Sequence, residues 1–484
     1  MATFDWPDSE TVPALVLRDG TPLPPAELAA LIDLMRSENP GLQTAVGSLR
    51  ARCTNQALDA WMSKLLSEWL EDLGTGTARK IRWIVPATAV LGGDACAALL
   101  GPHLRGEHYN LRCSGDIVIS TLVAIGTRGA LLELAHAGRK LAGKIRGQAA
   151  AHALQRIADA RGITPDQLQD RILPDGGLDS SGRRSFDYGP RQFEVLLDDD
   201  LMPVLRGGDG RLMTTLPKPN AKDDASLAAD ARVAWKVAKT QIQQTARWLA
   251  ARFETAMITG ETWTLAEFGE YFRQHPLARH VVRRLLWTTA SPDEPATTCF
   301  RIAEDDTLAD ANDVPTTLVD GATVVRPVHP LQLEPGVRET WQRLFAEYQI
   351  VSPFPQLDRP VYRVSFDQMQ RTTLTSFPND RFDAKALVFP LENRGWARQD
   401  HADGGMLTQH IKRFPSIGMA ACLDYEPGAF LGDLLSSGVQ TLKELYFIAL
   451  NTHAHRSPAL PLATVPPIVF SETLRDIHLL IPVA

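Results

Sequence analysis

The chain has 484 residues, of which 44% are hydrophobic and 22% charged, so it is long enough for about three domains and is not a disordered polymer. A formal net charge of −7 weighs against a surface that grips nucleic acid over its whole extent, while leaving room for a local basic patch. No apolar run approaches the roughly 20 residues of a membrane helix.

The first eight residues, Met1 to Asp8, carry acid where a secretory signal carries base and then an apolar run. The five cysteines, Cys53, Cys96, Cys113, Cys299 and Cys422, are scattered without zinc-ligand spacing. They predict buried, reduced thiols in a cytoplasmic protein. The first third then reads as helices. Leu28, Leu31, Ile32 and Met35 fall at i, i+3, i+4 and i+7, and Leu58, Trp61, Met62, Leu65, Leu66 and Trp69 extend the same period. Each stripe needs a neighbour to cover it.

A weak internal repeat follows. Leu91-Gly92-Gly93-Asp94, Ile125-Gly126-Thr127-Arg128 and Arg161-Gly162-Ile163-Thr164 each lie between helical stretches, and Gly92, Gly126 and Gly162 recur at intervals of 34 and 36 residues. A helix ending on a left-handed glycine would explain each. A helix pair of this length is the unit of an α-solenoid, so Ala78 to Ile172 is read as three HEAT-like pairs, an irregular helical bundle being the alternative. Thr164, Pro165 and Gln167 form a capping box at the start of the last helix, with Ile163 placed to staple onto Leu168.

From Leu173 the texture changes. Breakers at Pro174-Asp175-Gly176-Gly177 and Ser180-Ser181-Gly182 precede alternating Phe193, Val195 and Leu197. Met202 to Leu205 and Arg211 to Met213 flank Gly207-Gly208-Asp209-Gly210, a hairpin signal. A long helix follows from Asp223, lined by Trp235, Ile242, Leu249, Phe253 and Met257. Thr264 to Glu267 is a second capping box, and His275-Pro276 breaks that helix before another over Leu277 to Trp287. Beyond Pro292, strands are expected at 299–303, 323–328, 386–391, 419–423 and 441–448. Helices are expected at 336–348 and 471–479, the latter with Ser471 as N-cap. The fold class is therefore α+β: N-terminal HEAT-like repeats (1–172), a β-hairpin plus helical linker (173–291) and a mixed α/β body (292–484).

The order of several segments resembles a known family. They include Phe186-Asp187-Tyr188-Gly189-Pro190-Arg191, Leu216-Pro217-Lys218-Pro219, His275-Pro276-Leu277, Val328-His329-Pro330-Leu331, Pro353-Phe354-Pro355-Gln356-Leu357, Arg394-Gly395-Trp396 and the tail Val469 to Asp476. Together they are similar to the bacterial domain-of-unknown-function 4132 (DUF4132) family, often labelled molybdate metabolism regulator (MolR)-like. The similarity covers roughly Arg146 to Ala484. It implies a family but no reaction and no catalytic residues. Relatives often carry an N-terminal WGR module, a small unit tied to nucleic-acid binding in poly(ADP-ribose) polymerases. This chain has no counterpart, since Gly395-Trp396-Ala397-Arg398 is a different signature.

Chemistry-bearing residues are few. Arg326-Pro327-Val328-His329-Pro330 follows an apolar strand, and ligands dock at strand C-termini in α/β sheets. There His329 would exchange protons near neutral pH and Arg326 would hold an anion. The blander and favoured reading has His329 bonded to a backbone carbonyl while Pro330 turns the chain. Arg394 and Trp396 with Asp400, His401 and Asp403 would line a pocket or even offer metal ligands, against a solvated surface turn. The candidate pocket is thus Arg326, His329, Arg394, Trp396, His401 and Asp403, with no metal assigned and the cofactor unknown. Arg279, His280, Arg283 and Arg284 crowd positive charge on one helix, facing either an anion or the chain's own acids. Asp424 with Glu426, and His453 with His455, are weaker pairs read first as turn and loop. Nucleophile, P-loop, dinucleotide and zinc-hydrolase patterns are missing.

These readings favour a cytoplasmic interaction or regulatory protein whose helical repeats bind a protein partner. The alternatives are an enzyme of unrecognised class, with its site in the C-terminal body, and a nucleic-acid adaptor acting through the 279–284 helix. A small-molecule ligand suits the body; nucleic acid is the disfavoured partner, and no membrane association is expected.

Overall fold

The apolar stripes of the first third fold as helices because nothing else covers a face repeating every 3.6 residues. In the computed structural model the described residues are 12–37, 41–71, 83–106, 115–141, 143–290, 298–317, 324–398, 405–450 and 458–482. Contacts divide the chain into two units, Met1–Pro174 and Asp175–Ala484. No helix among the described residues is long and apolar enough to cross a membrane.

The first unit contains α1 (Pro25–Arg36), α2 (Gly41–Arg52), α3 (Asn55–Glu71), α4 (Ile84–Leu91), α5 (Asp94–Leu104), α6 (Gly115–Ile125), α7 (Arg128–Lys140), α8 (Ile145–Ala160) and α9 (Pro165–Arg171). They form two rows. Helix α3 packs on α5 and α5 on α7, while α4 packs on α6 and α6 on α8. One continuous core runs from Leu15 to Ile172 and includes Trp61, Met62, Leu65 and Leu66.

A carboxylate ladder joins successive members of the first row. Asp59 on α3 accepts the backbone N–H groups of Gly93 at 2.6 Å, Ala95 at 2.8 Å and Cys96 at 3.1 Å, at the start of α5. Asp94, the first residue of α5, in turn accepts the N–H of Gly129 at 2.8 Å, at the start of α7. Each carboxylate meets helix N–H groups that have no partner within their own helix, at the positive end of the dipole. Glycine is required beside it, because a Cβ on Gly93 would stand 2.8 Å from the Asp59 carboxylate.

Two details of the repeat differ in kind. Gly126 and Gly162 take the left-handed conformation expected of C-capping glycines, with φ of 63° and 66°. Gly92 does not: its φ is −74°. Clearance governs it instead, since a Cβ there would lie 2.6 Å from the Thr88 carbonyl oxygen. The capping box at Thr164 and Gln167 forms as read.

The second unit opens with an antiparallel meander, β1 (Ser185–Asp187), β2 (Gln192–Leu197), β3 (Pro203–Gly207) and β4 (Leu212–Met213). The long helix α10 (Ala225–Thr259) starts on the Asp224 side chain and ends at Gly260, φ 74°. Its first half covers the meander, with Ala228, Ala231, Trp235 and Ile242 against Phe186, Phe193, Val195 and Leu205. Next come β5 (Trp263–Thr264), α11 (Leu265–Phe268), α12 (Ala278–Val282), β6 (Trp287–Ala290), β7 (Cys299–Ile302), β8 (Leu308–Ala309), β9 (Pro315–Thr316) and β10 (Val324–Pro327). The sheet order is β5-β10-β6-β7-β8-β9. Phe253 of α10 meets Trp263, Phe272 and Trp287 edge-on beside this sheet, the geometry that aromatic quadrupoles favour.

After α13 (Pro335–Glu347) come β11 (Thr373–Leu374), β12 (Arg381–Asp383), α14 (Ala384–Asn393), β13 (Trp396–Arg398), β14 (Met406–Phe414), β15 (Met419–Phe430), β16 (Val439–Ala449) and α15 (Pro467–His478). The strands form a sheet in the order β11-β16-β15-β14-β13, with β12 also on β16. Helices α14 and α15 contribute Leu387, Leu391, Val469 and Phe470 to a core shared with Leu407, Leu423 and Phe447 of the sheet.

Several expectations are corrected here. Residues 386–391, read as a strand, lie in α14, because Asp383 caps its start and Ala384, Leu387, Val388 and Leu391 bury one helical face. The helix expected to reach Trp287 stops at Val282, and Trp287 opens β6. Ser471 is no N-cap. Helix α15 begins four residues earlier at Pro467, and the buried Ser471 hydroxyl accepts the Tyr362 N–H at 3.0 Å. Asp424 and Glu426 lie within β15, which runs on to Phe430. All strand pairs described are antiparallel. The body is therefore α+β, and the parallel-sheet reason for a ligand site at Arg326 falls away. His453 and His455 lie outside the described residues.

Replacing Asp59 by alanine strips acceptors from three N–H groups at once. Stability of the helical unit should fall by about 1–2 kcal/mol. Hydrogen exchange should quicken at Gly93, Ala95 and Cys96 while the second unit keeps its protection.

Candidate functional site

Helix α15 carries an unusual load of buried polar groups: Ser471, Glu472, Thr473 and Asp476 are each at most 3% exposed. Burial of a charge is costly unless it is paired and hydrogen-bonded, so these residues dictate what surrounds them. Glu472 receives the Arg359 guanidinium on Oε2 and lies 3.2 Å from His329 Nε2 through Oε1. Arg359 also pairs with Glu254 of α10 and donates from Nε to the Pro355 carbonyl at 2.8 Å. Arg475 stands 3.7 Å from Glu472 and 3.8 Å from Glu254. His329, Arg359 and Glu472 are all sealed, with exposures of 0%, 0% and 1%.

The tautomer of His329 follows from its neighbours. Its Nδ1 accepts the Leu331 N–H at 3.1 Å, within a capping box completed by Gln332. Nε2 therefore carries the proton and donates to Glu472. Burial holds the imidazole below its ordinary value of 6.5 despite the opposing pull of Glu472. For Glu472 burial pushes upward, but the His329 hydrogen bond and the Arg359 charge outweigh it and hold the carboxyl below 4.5. Nearby, Gln356 donates to the Leu286 and Val328 carbonyls at 2.8 and 2.9 Å and accepts the Leu286 N–H, so a fully buried amide is satisfied.

One turn along α15, Asp476 accepts the Trp396 indole N–H at 3.0 Å and pairs with Lys412 at 2.6 Å. His329 and Trp396 thus converge on the same helix, four residues apart in their partners, but in packed interior. Arg394 caps the end of α14 by donating to the Pro390 carbonyl at 2.9 Å. Arg326 lies on β10 opposite Thr288. His401 and Asp403, like Asp400, lie outside the described residues. The positive helix is also occupied. Arg279 donates to the Ser180 carbonyl at 3.0 Å, Arg283 pairs with Asp306 at 2.7 Å, and Arg284 donates to the Asp198 and Asp199 carbonyls. His280 is pushed down to about 4 by burial and by its three arginine neighbours.

Motif reading passed over Glu254, Arg359 and Glu472. A charged pair in otherwise apolar context, Arg359 after Gln356-Leu357 and Glu472 inside the stripe Val469-Phe470-Ile477, was the available signal. A second buried histidine, His410, stands 3.2 Å from the Tyr425 hydroxyl and 4.0 Å from Glu392, and burial lowers it to about 4. Among the described residues no group of three His, Cys, Asp or Glu is placed to hold a metal ion.

An open groove of about 420 Å³ lies elsewhere, in the helical unit, lined by Asp116, Ile119 and Ser120 of α6 and by Ala149, His152 and Arg156 of α8. Sequence reading missed it too. Its signal is the stripe Ile145, Ala149, His152, Arg156, at i, i+4, i+7 and i+11 on one face of α8.

Residues 210–396 match the model of a family described as "Domain of unknown function (DUF4132)", which supports the expected family. That segment contains Glu254, His329, Arg359 and Trp396, while Glu472 and Asp476 lie beyond it. The chain is 30% identical over 353 residues to "Uncharacterized protein YehI" of Escherichia coli (strain K12), an alignment covering 72% of this chain and 29% of the relative. The chain therefore corresponds to under a third of that protein's length. No solved structure matches.

Removing one partner from a sealed ion pair leaves the other charge stranded. Glu472→Ala should destabilise the second unit by about 3–5 kcal/mol in chemical denaturation. The pH dependence has a defined sign. His329 and His410 bind protons more weakly folded than unfolded, so stability falls as pH drops below about 6.5, each contributing up to about 1.4 kcal/mol per pH unit. Glu472, held down in the fold, adds a loss below about pH 4.5. Denaturation midpoints of His329→Gln between pH 7.5 and 5 should show a shallower slope than wild type, with the remainder carried by the other depressed histidines, His280 and His410 among them.

Proposed function

We propose that this chain is a DUF4132-family interaction protein, cytoplasmic and without catalysis of its own, whose stacked helices receive a protein partner. The observation that carries the reading is the two-row packing of α3 to α8 with its repeated Asp59 and Asp94 caps, one residue set on from the other by about one helix pair. Repeats of this kind stack into HEAT-like solenoids with an extended binding face. The buried Cys53, Cys96 and Cys422, all free thiols, accord with a reducing compartment.

The body's titratable cluster supports the same reading by its closure. Acid–base chemistry needs a group within reach of a substrate proton, and His329 has both ring nitrogens engaged in a sealed interior. In this view His329, Arg359 and Glu472 hold elements together. The test is quantitative affinity capture from the native host, with the tagged full chain and a chain lacking residues 1–172. Specific partners should drop by about tenfold or more on truncation, with the truncated body still unfolding cooperatively. Equal recovery from the truncated chain would remove the basis of the proposal.

A further inference from the structure

His410 and His329 are both fully buried, but their rings are treated differently. His329 has both nitrogens engaged. Nε2 of His410 has no hydrogen-bond partner among the described residues. A buried polar atom left in that state costs free energy, so the group that faces it matters. Glu392, in the last turn of α14, places Oε1 4.0 Å away, beyond hydrogen-bond reach. Arg398 already holds that same oxygen through its Nε, while its Nη2 reaches Oε2 at 3.3 Å. One carboxylate oxygen thus lies between an arginine that has it and an imidazole that does not.

The surroundings are defined on every side. His410 of β14 stands opposite Arg398 of β13 in the antiparallel register, and α14 packs on β13. From β15 the Tyr425 hydroxyl lies 3.2 Å from Nδ1, and its ring stacks on the imidazole. Burial raises Tyr425, so it keeps its proton and donates it to Nδ1. Nε2 then carries the ring hydrogen on the side of Glu392. Farther along the same face of β14, Lys412 is neutralised by Asp476 of α15. Glu392, Arg398 and Tyr425 are therefore the charged and titratable groups that His410 meets. Exposure rises outward through the set, from 0% for His410 to 27% for Glu392 and 43% for Arg398.

We propose that His410, Glu392 and Arg398 form an acid-operated switch: protonation of His410 transfers Glu392 from Arg398 to the imidazolium and frees the Arg398 guanidinium at the surface. The added proton goes to Nδ1, and the Tyr425 hydroxyl turns to accept it. Nε2–H becomes a charged donor, which closes the 4.0 Å gap to Oε1. Burial opposes the imidazolium, Glu392 favours it and Arg398 disfavours it, with the imidazole held down at about 4. The switch is therefore open at neutral pH and closes only in acid. A carboxylate drawn inward offsets part of the burial cost, and an exposed ion pair on Arg398 is a small loss in water. An event in the interior is thereby displayed outside, as an unpaired cation on the edge strand β13.

The test is a pH titration of the full-length protein with isotope-labelled histidine and arginine, followed by NMR, with His410→Gln assigning the ring resonance. Arg398→Gln leaves Glu392 to His410 alone and should raise the His410 midpoint by about one pH unit. Glu392→Gln removes the acceptor and should lower it. In wild type, exchange of the Arg398 Nε–H with water should quicken over the same pH range in which His410 gains its proton. Both substituted side chains reach solvent, and an unchanged denaturation midpoint at neutral pH verifies each fold. A histidine with a merely structural role would titrate alike in all three proteins, and that result would overturn the proposal. So would a midpoint lowered by Arg398→Gln, or an Arg398 Nε–H that stays protected while His410 is protonated. Should wild type unfold in acid before His410 titrates, Arg398→Gln decides: unfolding with His410 still neutral there also counts against the switch.

Discussion

Arg359 and Glu472 meet in an interior that neither could enter alone. A guanidinium and a carboxylate with almost no exposure must be joined to each other, and the remaining hydrogen-bonding capacity must also be filled. Glu254, His329 and the Pro355 carbonyl fill it. The consequence is topological. The long helix α10, the turn after β10, the segment leading out of α13 and the last helix α15 are each obliged to deliver one polar group to the same point. Elements distant in sequence are thereby fixed in register, and the sheets on either side inherit that geometry.

The two units solve the same problem of satisfying polar groups in opposite ways. In the second unit charges are brought together in the interior from remote parts of the chain. In the first, carboxylates act locally, each reaching from one helix to the N-terminus of the helix next in its row. Long-range convergence specifies one arrangement of many parts and suits a fixed body. Nearest-neighbour caps specify only how one helix sits on the next, and suit a stack whose outward face is free to carry other residues.

Local rules made much of the fold legible. The stripes at Leu28 to Met35 and Leu58 to Trp69, the capping boxes at Thr164 and Thr264, and the Gly207 to Gly210 hairpin depend on residues within a few positions of one another, and they appear as read. Misreadings came where remote context decides. Val388-Phe389-Pro390 has the composition of a strand, but Asp383 caps a helix there and the sheet supplies a surface for its apolar face. Ser471 has the chemistry of an N-cap and is used as an acceptor for Tyr362 instead. For the candidate pocket, sequence named His329 and Trp396 among its candidates. It could not show that Glu472 and Asp476 claim them, because those contacts span 143 and 80 residues.

The ladder of Asp59 and Asp94 has an implication for how such a chain changes over time. Asp94 belongs to the helix that Asp59 secures and itself secures the next, so α5 hands on the same kind of connection that it receives. A stack built in this manner has no privileged length. Were a helix pair duplicated or lost within it, the same bond would rejoin the ends. A front built so would tolerate growth or loss by descent, whereas a body tied by one buried knot would not.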